Sequence, residues 1–135
     1  MKVPIWLKTE AVLEMHQMML ELYGGSAGLR DFGLLDSALH RPKFILEYEP
    51  ASTLERLAAA YAGGIIKNHP FVDGNKRCGF LAAFTFLDIN GKELRATEAE
   101  AASATIALAA GELAEEEYAA WLGDNCVQLR EDAQP

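Results

Sequence analysis

The sequence predicts a single domain built as a bundle of about six α-helices. Apolar residues recur at helical spacing through most of the chain, and capping residues precede several of these segments. One segment, residues 75–89, is apolar on nearly every side, which is typical of a helix in the middle of a bundle. A chain of 135 residues is long enough to bury one core without metals or disulfides.

The first predicted helix covers residues 9–23, with Thr9 as its N-cap. Its buried face is predicted to contain Ala11, Val12, Met15, Met18, Met19 and Leu22. His16 lies between these positions, and we expect it to be packed or partly exposed and not catalytic. The glycine-rich residues 24–28 follow as a flexible connection to the next helix.

The second predicted helix begins at Asp31, which can cap it, and passes through Leu39. Arg41-Pro42 should end it, because the residue before proline disfavours helical backbone. Residues 43–51 are therefore expected to form an irregular segment.

The remaining four helices are placed by capping residues and glycines. Two of them begin at capping boxes, formed by Ser52 with Glu55 and by Thr97 with Glu100. Asn90-Gly91 should end the apolar helix, since glycine readily takes the left-handed conformation past a C-terminus. One face of the sixth helix is predicted to carry Tyr118, Trp121, Leu122, Cys126 and Leu129. The acidic residues 115–117 at its start are expected to form a solvated cap.

Composition and charge limit the function classes. The net charge of −8, from 20 acidic and 12 basic residues, argues against direct nucleic-acid binding, which requires a basic surface. Cys78 and Cys126 match no zinc or redox spacing, so free buried thiols are expected, with a disulfide between them as the alternative. No secretion signal and no membrane-spanning apolar run of about 18 residues is present, so we expect a cytoplasmic protein. Residues 1–130 are expected to form the domain and residues 131–135 a disordered tail.

A polar run precedes the apolar helix and carries the chemistry: His69, Pro70, Phe71, Val72, Asp73, Gly74, Asn75, Lys76 and Arg77. The amino end of a helix leaves backbone N–H groups without partners and favours a bound phosphate. Lys76 and Arg77 add positive charge there, Asp73 is an oxygen ligand suited to Mg²⁺, and His69 is a candidate proton carrier. These are the parts that phosphoryl transfer needs. The alternative is ordinary capping by Asn75 with solvated basic residues.

This run resembles the signature of the Fic/Doc superfamily, which reads His-Pro-Phe, any residue, Asp or Glu, Gly-Asn-Gly-Arg, two residues, Arg. The chain departs from it at Lys76, where the AMP-transferring enzymes have glycine, and at Phe80, where they have arginine. Both departures are typical of the Doc branch, the death-on-curing toxins, which carry Asn-Lys-Arg. Residues 23–35 and 38–42 also resemble that branch, and the similarity spans roughly residues 9–95.

The resemblance implies an all-α, Fic/Doc-like bundle that transfers part of ATP to a protein hydroxyl. By this resemblance, His69 is the general base, Asp73 holds Mg²⁺, and Gly74, Asn75 and the two basic residues that follow bind the triphosphate. Lys76 in place of glycine implies that ATP presents its γ-phosphate, which makes the protein a kinase. The segment 43–51 is either an ordinary loop or a flap that docks the target.

The Doc branch further implies a toxin of a type II toxin–antitoxin system. Its target would be a threonine of elongation factor Tu, and its modification would arrest translation. The chain contains no Glu-Gly or Glu-Asn pair, so it lacks the self-inhibiting helix motif of many Fic proteins. A separate Phd-like antitoxin is therefore expected, while the oligomeric state stays open. Two alternatives remain, a Fic-type AMP transferase and a non-catalytic partner-binding module.

Overall fold

A computed structural model describes residues 3–129. In this part of the chain, six α-helices and one small antiparallel sheet are present: α1 (Thr9–Tyr23), α2 (Phe32–Tyr48), α3 (Leu54–Asn68), α4 (Asn75–Ile89), β1 (Lys92–Leu94), α5 (Glu98–Ala109), α6 (Glu115–Asn125) and β2 (Cys126–Gln128). Strand β1 pairs with β2 so that Leu94 lies opposite Cys126. The predicted all-α fold of about six helices is confirmed. The predicted tail, residues 131–135, lies outside the described residues.

Helices α3 and α4 form the centre of the bundle. Helix α3 buries eight residues, and it packs against α4, α2 and α6. Close approach of the helices depends on two glycines. A Cβ at Gly64 would lie 3.4 Å from the Cα atom of Ala38, and a Cβ at Gly79 would lie 3.1 Å from the carbonyl oxygen of Ala62. Helix α4, which begins within the polar run 69–77, is thus anchored in the core, as its apolar sequence predicted.

Helix α2 differs from the prediction. It continues through Pro42 to Tyr48, so the expected end at Arg41-Pro42 is wrong. Of the expected irregular segment 43–51, only residues 49–51 lie outside the helix. Proline inside a helix costs about 3 kcal/mol, since it removes one backbone hydrogen bond. Pro42 is fully buried and Ile45 packs on the core, so tertiary packing offsets that cost.

The helix caps are predicted with mixed success. The Thr97–Glu100 capping box is confirmed by its two reciprocal bonds, of 3.1 and 2.9 Å. Helix α3 is capped by Thr53, whose hydroxyl accepts the N–H of Arg56, and not by Ser52, which is buried. Thr9 is the first helical residue rather than the N-cap. These errors shift helix starts by only one residue.

The C-terminal part of the fold does not form the single long sixth helix that the sequence predicted. Helix α6 ends at Asn125, and Cys126 begins β2, so Cys126 and Leu129 do not lie on its face. The cysteines are free, as predicted; Cys78 is buried and Cys126 half-buried. Burial raises the pKa of the Cys78 thiol to about 12, which makes it a poor nucleophile at neutral pH.

One member of the acidic run 115–117 has a structural role instead of forming a solvated cap. The Glu115 carboxylate accepts two hydrogen bonds from Arg41, at 2.6 and 2.7 Å, and one from Arg56, at 2.7 Å. Its oxygen occupies the space that a Cβ at Gly63 would fill. This ion network joins α2, α3 and α6. None of the helices within residues 3–129 is long and apolar enough to cross a bilayer.

Candidate active site

The polar run 69–77, called the motif below, covers the loop between the two central helices, α3 and α4, and the first turn of α4. His69 is the C-cap of α3, and its backbone takes the left-handed conformation, with φ 51° and ψ 54°. Gly74 is the N-cap of α4, also left-handed at φ 80°, and Asn75 is the first residue of that helix. The candidate base and the candidate phosphate cradle are therefore at the facing ends of two core helices.

Residues 28–31, which precede α2, form backbone hydrogen bonds with residues 70–72 of the motif loop. The carbonyl oxygen of Gly28 accepts the N–H of Val72 at 3.0 Å, and that of Pro70 accepts the N–H groups of Arg30 and Asp31 at 2.6 and 3.0 Å. Leu29 and Phe71 form a β-bridge between the same segments. The glycine-rich stretch 24–28, predicted to be a flexible connection, thus leads into a segment that fixes the motif loop.

Phe71 and His16 anchor the loop to the core. The Phe71 ring is buried and stacks on the His16 imidazole, with ring centroids 3.7 Å apart and planes 7° apart. Nε2–H of His16 donates to the carbonyl oxygen of Asp73 at 2.7 Å. Of the two positions expected for His16, the packed one is observed, and the residue positions the backbone that carries Asp73.

Asn75 is turned inward, and its side-chain amide makes three contacts. Oδ1 accepts the N–H of Phe71 at 3.1 Å, while Nδ2 donates to the carbonyl oxygen of Phe71 at 3.0 Å and lies 3.0 Å from Nδ1 of His69. The two Phe71 bonds fix the amide orientation, so Nδ1 of His69 accepts and its neutral ring carries the proton on Nε2. Asn75 lines the cleft, but its side-chain amide is engaged within the loop by Phe71 and His69.

The Asp73 carboxylate lies at the cleft mouth, exposed to solvent. It accepts the N–H of Ser26 at 3.2 Å and that of Gly74 at 2.8 Å. These two bonds, with the nearby Arg77 charge, hold the pKa of the Asp73 carboxyl below its ordinary value. Within residues 3–129, no three His, Cys, Asp or Glu side chains cluster as a complete metal site. Mg²⁺ commonly binds through one or two carboxylates plus phosphates, so one ionised aspartate beside a phosphate cradle fits it.

The amino end of α4 is open to a ligand. No side chain of the described residues caps it, so the N–H groups of its first turn, from Asn75 to Arg77, lack partners within the helix. The guanidinium of Arg77 lies 4.5 Å from the ring centre of Tyr23. Backbone N–H groups, the helix dipole and the charges of Lys76 and Arg77 all favour an anion here.

A cleft of about 690 Å³ opens beside these groups. Its polar wall brings together every residue that the sequence predicted for the site: His69, Asp73, Gly74, Asn75, Lys76 and Arg77. Its apolar wall comes from α1, α4 and α5 and includes Tyr23, Phe80 and Ile106. Sequence patterns did not identify the contributions of Tyr23 and α5, which depend on packing between distant segments.

Comparison with known proteins decides the family. The model of the Fic/DOC family matches residues 6–87, which include α1 to α3, the motif loop and most of α4. The chain belongs to the Fic/DOC family. The match ends before β1, α5 and α6, so the helix that supplies the apolar wall of the cleft lies outside it.

Two relatives support the predicted Doc branch of this Fic/DOC protein. "Toxin Doc" of Mycolicibacterium smegmatis is 44% identical over 75 residues, which cover 55% of this chain and 58% of that protein. "Protein kinase doc" of Escherichia phage P1 is 29% identical over 107 residues, covering 79% of this chain and 84% of the phage protein. The match thus spans little more than half of the mycobacterial relative. The resemblance to the Doc branch is confirmed.

Proposed function

We propose that this chain is a Doc-like toxin that transfers the γ-phosphate of ATP to a threonine hydroxyl of elongation factor Tu and so arrests translation. The observation that carries the proposal is the shared cleft. His69, the Asp73 carboxylate and the open amino end of α4 line the same space. The names of the two relatives, a toxin and a protein kinase, support the same activity.

The triphosphate of ATP would lie at the amino end of α4. The N–H groups of residues 75–77 supply donors, and Lys76 and Arg77 supply positive charge. Asp73 would hold Mg²⁺ beside the phosphates, and the ion would neutralise charge on the transferred group. The pKa of the Asp73 carboxyl lies below its ordinary value, so the group is ionised throughout the neutral range.

In the reaction, the threonine oxygen forms a bond to the γ-phosphorus while the bond to the β,γ-bridging oxygen breaks, and ADP leaves. His69 takes the hydroxyl proton. In the resting tautomer, Nε2 already carries a proton and Nδ1 accepts from Asn75. Proton uptake at Nε2 therefore requires the proton on Nδ1 instead, and the hydrogen bond from Asn75 must then be released. The hydrogen bond from Asn75 therefore stabilises the tautomer in which Nε2 is protonated.

Lys76 favours the kinase over AMP transfer. It stands where the AMP-transferring signature has glycine, and its side chain lines the cleft beside the helix terminus. A lysine at that place adds bulk and charge, which favours presentation of the γ-phosphate. Phe80 lines the same cleft where that signature has arginine, so this position offers no charge to the α-phosphate.

The test uses purified elongation factor Tu with ATP labelled at either the α- or the γ-phosphate. We expect γ-label on the target with the unchanged chain and with His40→Ala, since His40 is an exposed residue of α2 outside the cleft. His69→Ala should remove transfer while the fold survives. Label from the α-phosphate would reject the kinase, and transfer by His69→Ala would reject the assigned base.

An active toxin also needs restraint. We propose that a Phd-like antitoxin provides it, because the cleft is open and the sequence lacks the self-inhibiting motif. Expression of the chain alone in bacteria should then arrest growth, and His69→Ala should relieve the arrest. Normal growth with intact, folded protein would contradict the toxin proposal, and arrest by His69→Ala would favour a module that acts by binding alone.

A further inference from the structure

Arg30 is joined to the motif loop by three hydrogen bonds. Its Nε donates to the carbonyl oxygen of His69 at 2.8 Å, and its Nη2 donates to that of Asn68 at 3.0 Å. Its backbone N–H donates to Pro70 at 2.6 Å. One arginine therefore contacts three consecutive residues, with the candidate base in the middle.

The side chain of Arg30 contacts the carboxyl end of α3, where the carbonyl groups lack partners within the helix. The last carbonyl groups of a helix have no partners within it, and a cation near them also interacts favourably with the helix dipole. The planar guanidinium fork of Arg30 satisfies two of these groups at the end of α3. Outside glycine, the only positive φ angle among the described residues is that of His69. A side chain resists this conformation, so neighbouring contacts must hold it.

Arg30 acts through His69 and not on the substrate. It does not line the cleft, whereas His69 does. The His69 residue is held at two places, its carbonyl by Arg30 and its ring by Asn75. Arg30 fixes the backbone from which the imidazole extends, and Asn75 then orients the ring. Loss of the first contact would let the backbone at the base relax towards ordinary angles.

We propose that Arg30 is a positioning residue that holds His69 in its left-handed conformation and so aims the imidazole into the cleft. The inference rests on the proposed function for its effect on rate, but its structural part stands without it. Arg30 is exposed, and water competes for its donors. We therefore expect a loss in kcat on the order of 10-fold, below the roughly 100-fold cost of a full 1 Å misplacement. KM for ATP should stay unchanged, because the phosphate cradle is on α4.

The test compares Arg30→Met, which keeps the stem and removes the donors, with Arg41→Met as the matched control. Arg41 also donates to a backbone carbonyl, that of Ala60, but it lies away from the cleft. Ring ¹H–¹⁵N spectra report on all three histidines of the chain, and exposed His40 serves as the internal reference. Arg30→Lys is the second variant if Arg30→Met does not fold, because an ammonium group cannot reproduce the fork.

In Arg30→Met we expect displaced His69 ring signals and unchanged His40 signals. The kcat should fall while KM for ATP stays unchanged. Arg41→Met should lose stability while it keeps the wild-type His69 signals and kcat. Wild-type His69 signals in folded Arg30→Met or Arg30→Lys would overturn the inference, as would equal kcat losses in Arg30→Met and Arg41→Met. If the unchanged chain transfers no phosphate, the proposed function fails, while the His69 spectra still decide the role of Arg30.

Discussion

Gly25 offers a direct way to disturb Asp73 without changing it. Gly25 has a φ of +123°, and a Cβ added there would lie 2.9 Å from Oδ2 of Asp73. Ordinary contacts of this kind begin at 3.4 Å, so the carboxylate oxygen must retreat by about 0.5 Å. The N–H of Ser26, the neighbour of Gly25, already donates to this oxygen at 3.2 Å. The retreat would therefore take Oδ2 beyond hydrogen-bond range of Ser26.

Gly25→Ala should therefore raise the pKa of Asp73 towards its ordinary value, because the Ser26 bond contributes most to lowering it. The pKa is measured from the side-chain carboxyl carbon signal of Asp73 in a pH titration by NMR. If Asp73 holds Mg²⁺, the Mg²⁺ concentration needed for half-maximal transfer should rise roughly 10-fold, the lower end of the cost of losing a hydrogen bond to a metal ligand.

Gly24→Ala is the matched control. Gly24 has a φ of +81°, and a Cβ there would meet nothing within 4 Å. Each alanine should lower the free energy of unfolding by about 1–3 kcal/mol through backbone strain. Only Gly25→Ala should change the pKa of Asp73. An equal pKa of Asp73 in the two variants would refute the contact that the structure shows.

Three further predictions concern the packing and the charges that hold the helices together. Gly79→Ala should destabilise the protein by about 1–2 kcal/mol, because its Cβ would lie 3.0 Å from Ile66 where α3 and α4 cross. Gly123→Ala, with its nearest neighbour at 3.8 Å, should instead stabilise α6 by about 0.5–1 kcal/mol. Glu115→Gln should cost about 1–3 kcal/mol, between the values for exposed and buried ion pairs, because it removes the charge shared by Arg41 and Arg56. Urea unfolding measures all three.

The outcomes that would contradict these predictions are equally specific. A stabilising Gly79→Ala would mean that the central helices do not approach as closely as described. An unchanged free energy of unfolding in Glu115→Gln would show that its arginine contacts contribute nothing to the link between α2, α3 and α6.

The motif helix was the most predictable element. It was predicted at about residues 75–89 and is observed at Asn75–Ile89, because a polar run precedes the apolar segment and Asn90-Gly91 follows it. The residues of the phosphate cradle are consecutive, so one helix start was enough to place Lys76 and Arg77 together. The sequence was therefore sufficient to predict the phosphate cradle, whose residues are neighbours in the chain.

The parts that failed depend on packing between distant segments. Pro42 was expected to end α2, but the helix continues past it because burial against the core offsets the cost of the proline. Arg30 lies 39 positions before His69, and no pattern marks their contact. For Asn75 the sequence left helix capping and phosphate binding open, and it did not indicate that the amide lies between Phe71 and His69. An asparagine at this position can bind a ligand or fix the loop, and only the three-dimensional contacts show how its amide is used.

The most direct test of the account is a titration with Mg²⁺ and ATP followed by amide NMR. We expect the largest shifts at residues 74–77, at the amino end of α4, and smaller shifts at His69 and Asp73, while the signals of α6 away from the cleft stay in place. Shifts that begin elsewhere, or the absence of shifts at residues 74–77 at millimolar ATP, would contradict the claim that this helix terminus binds the triphosphate.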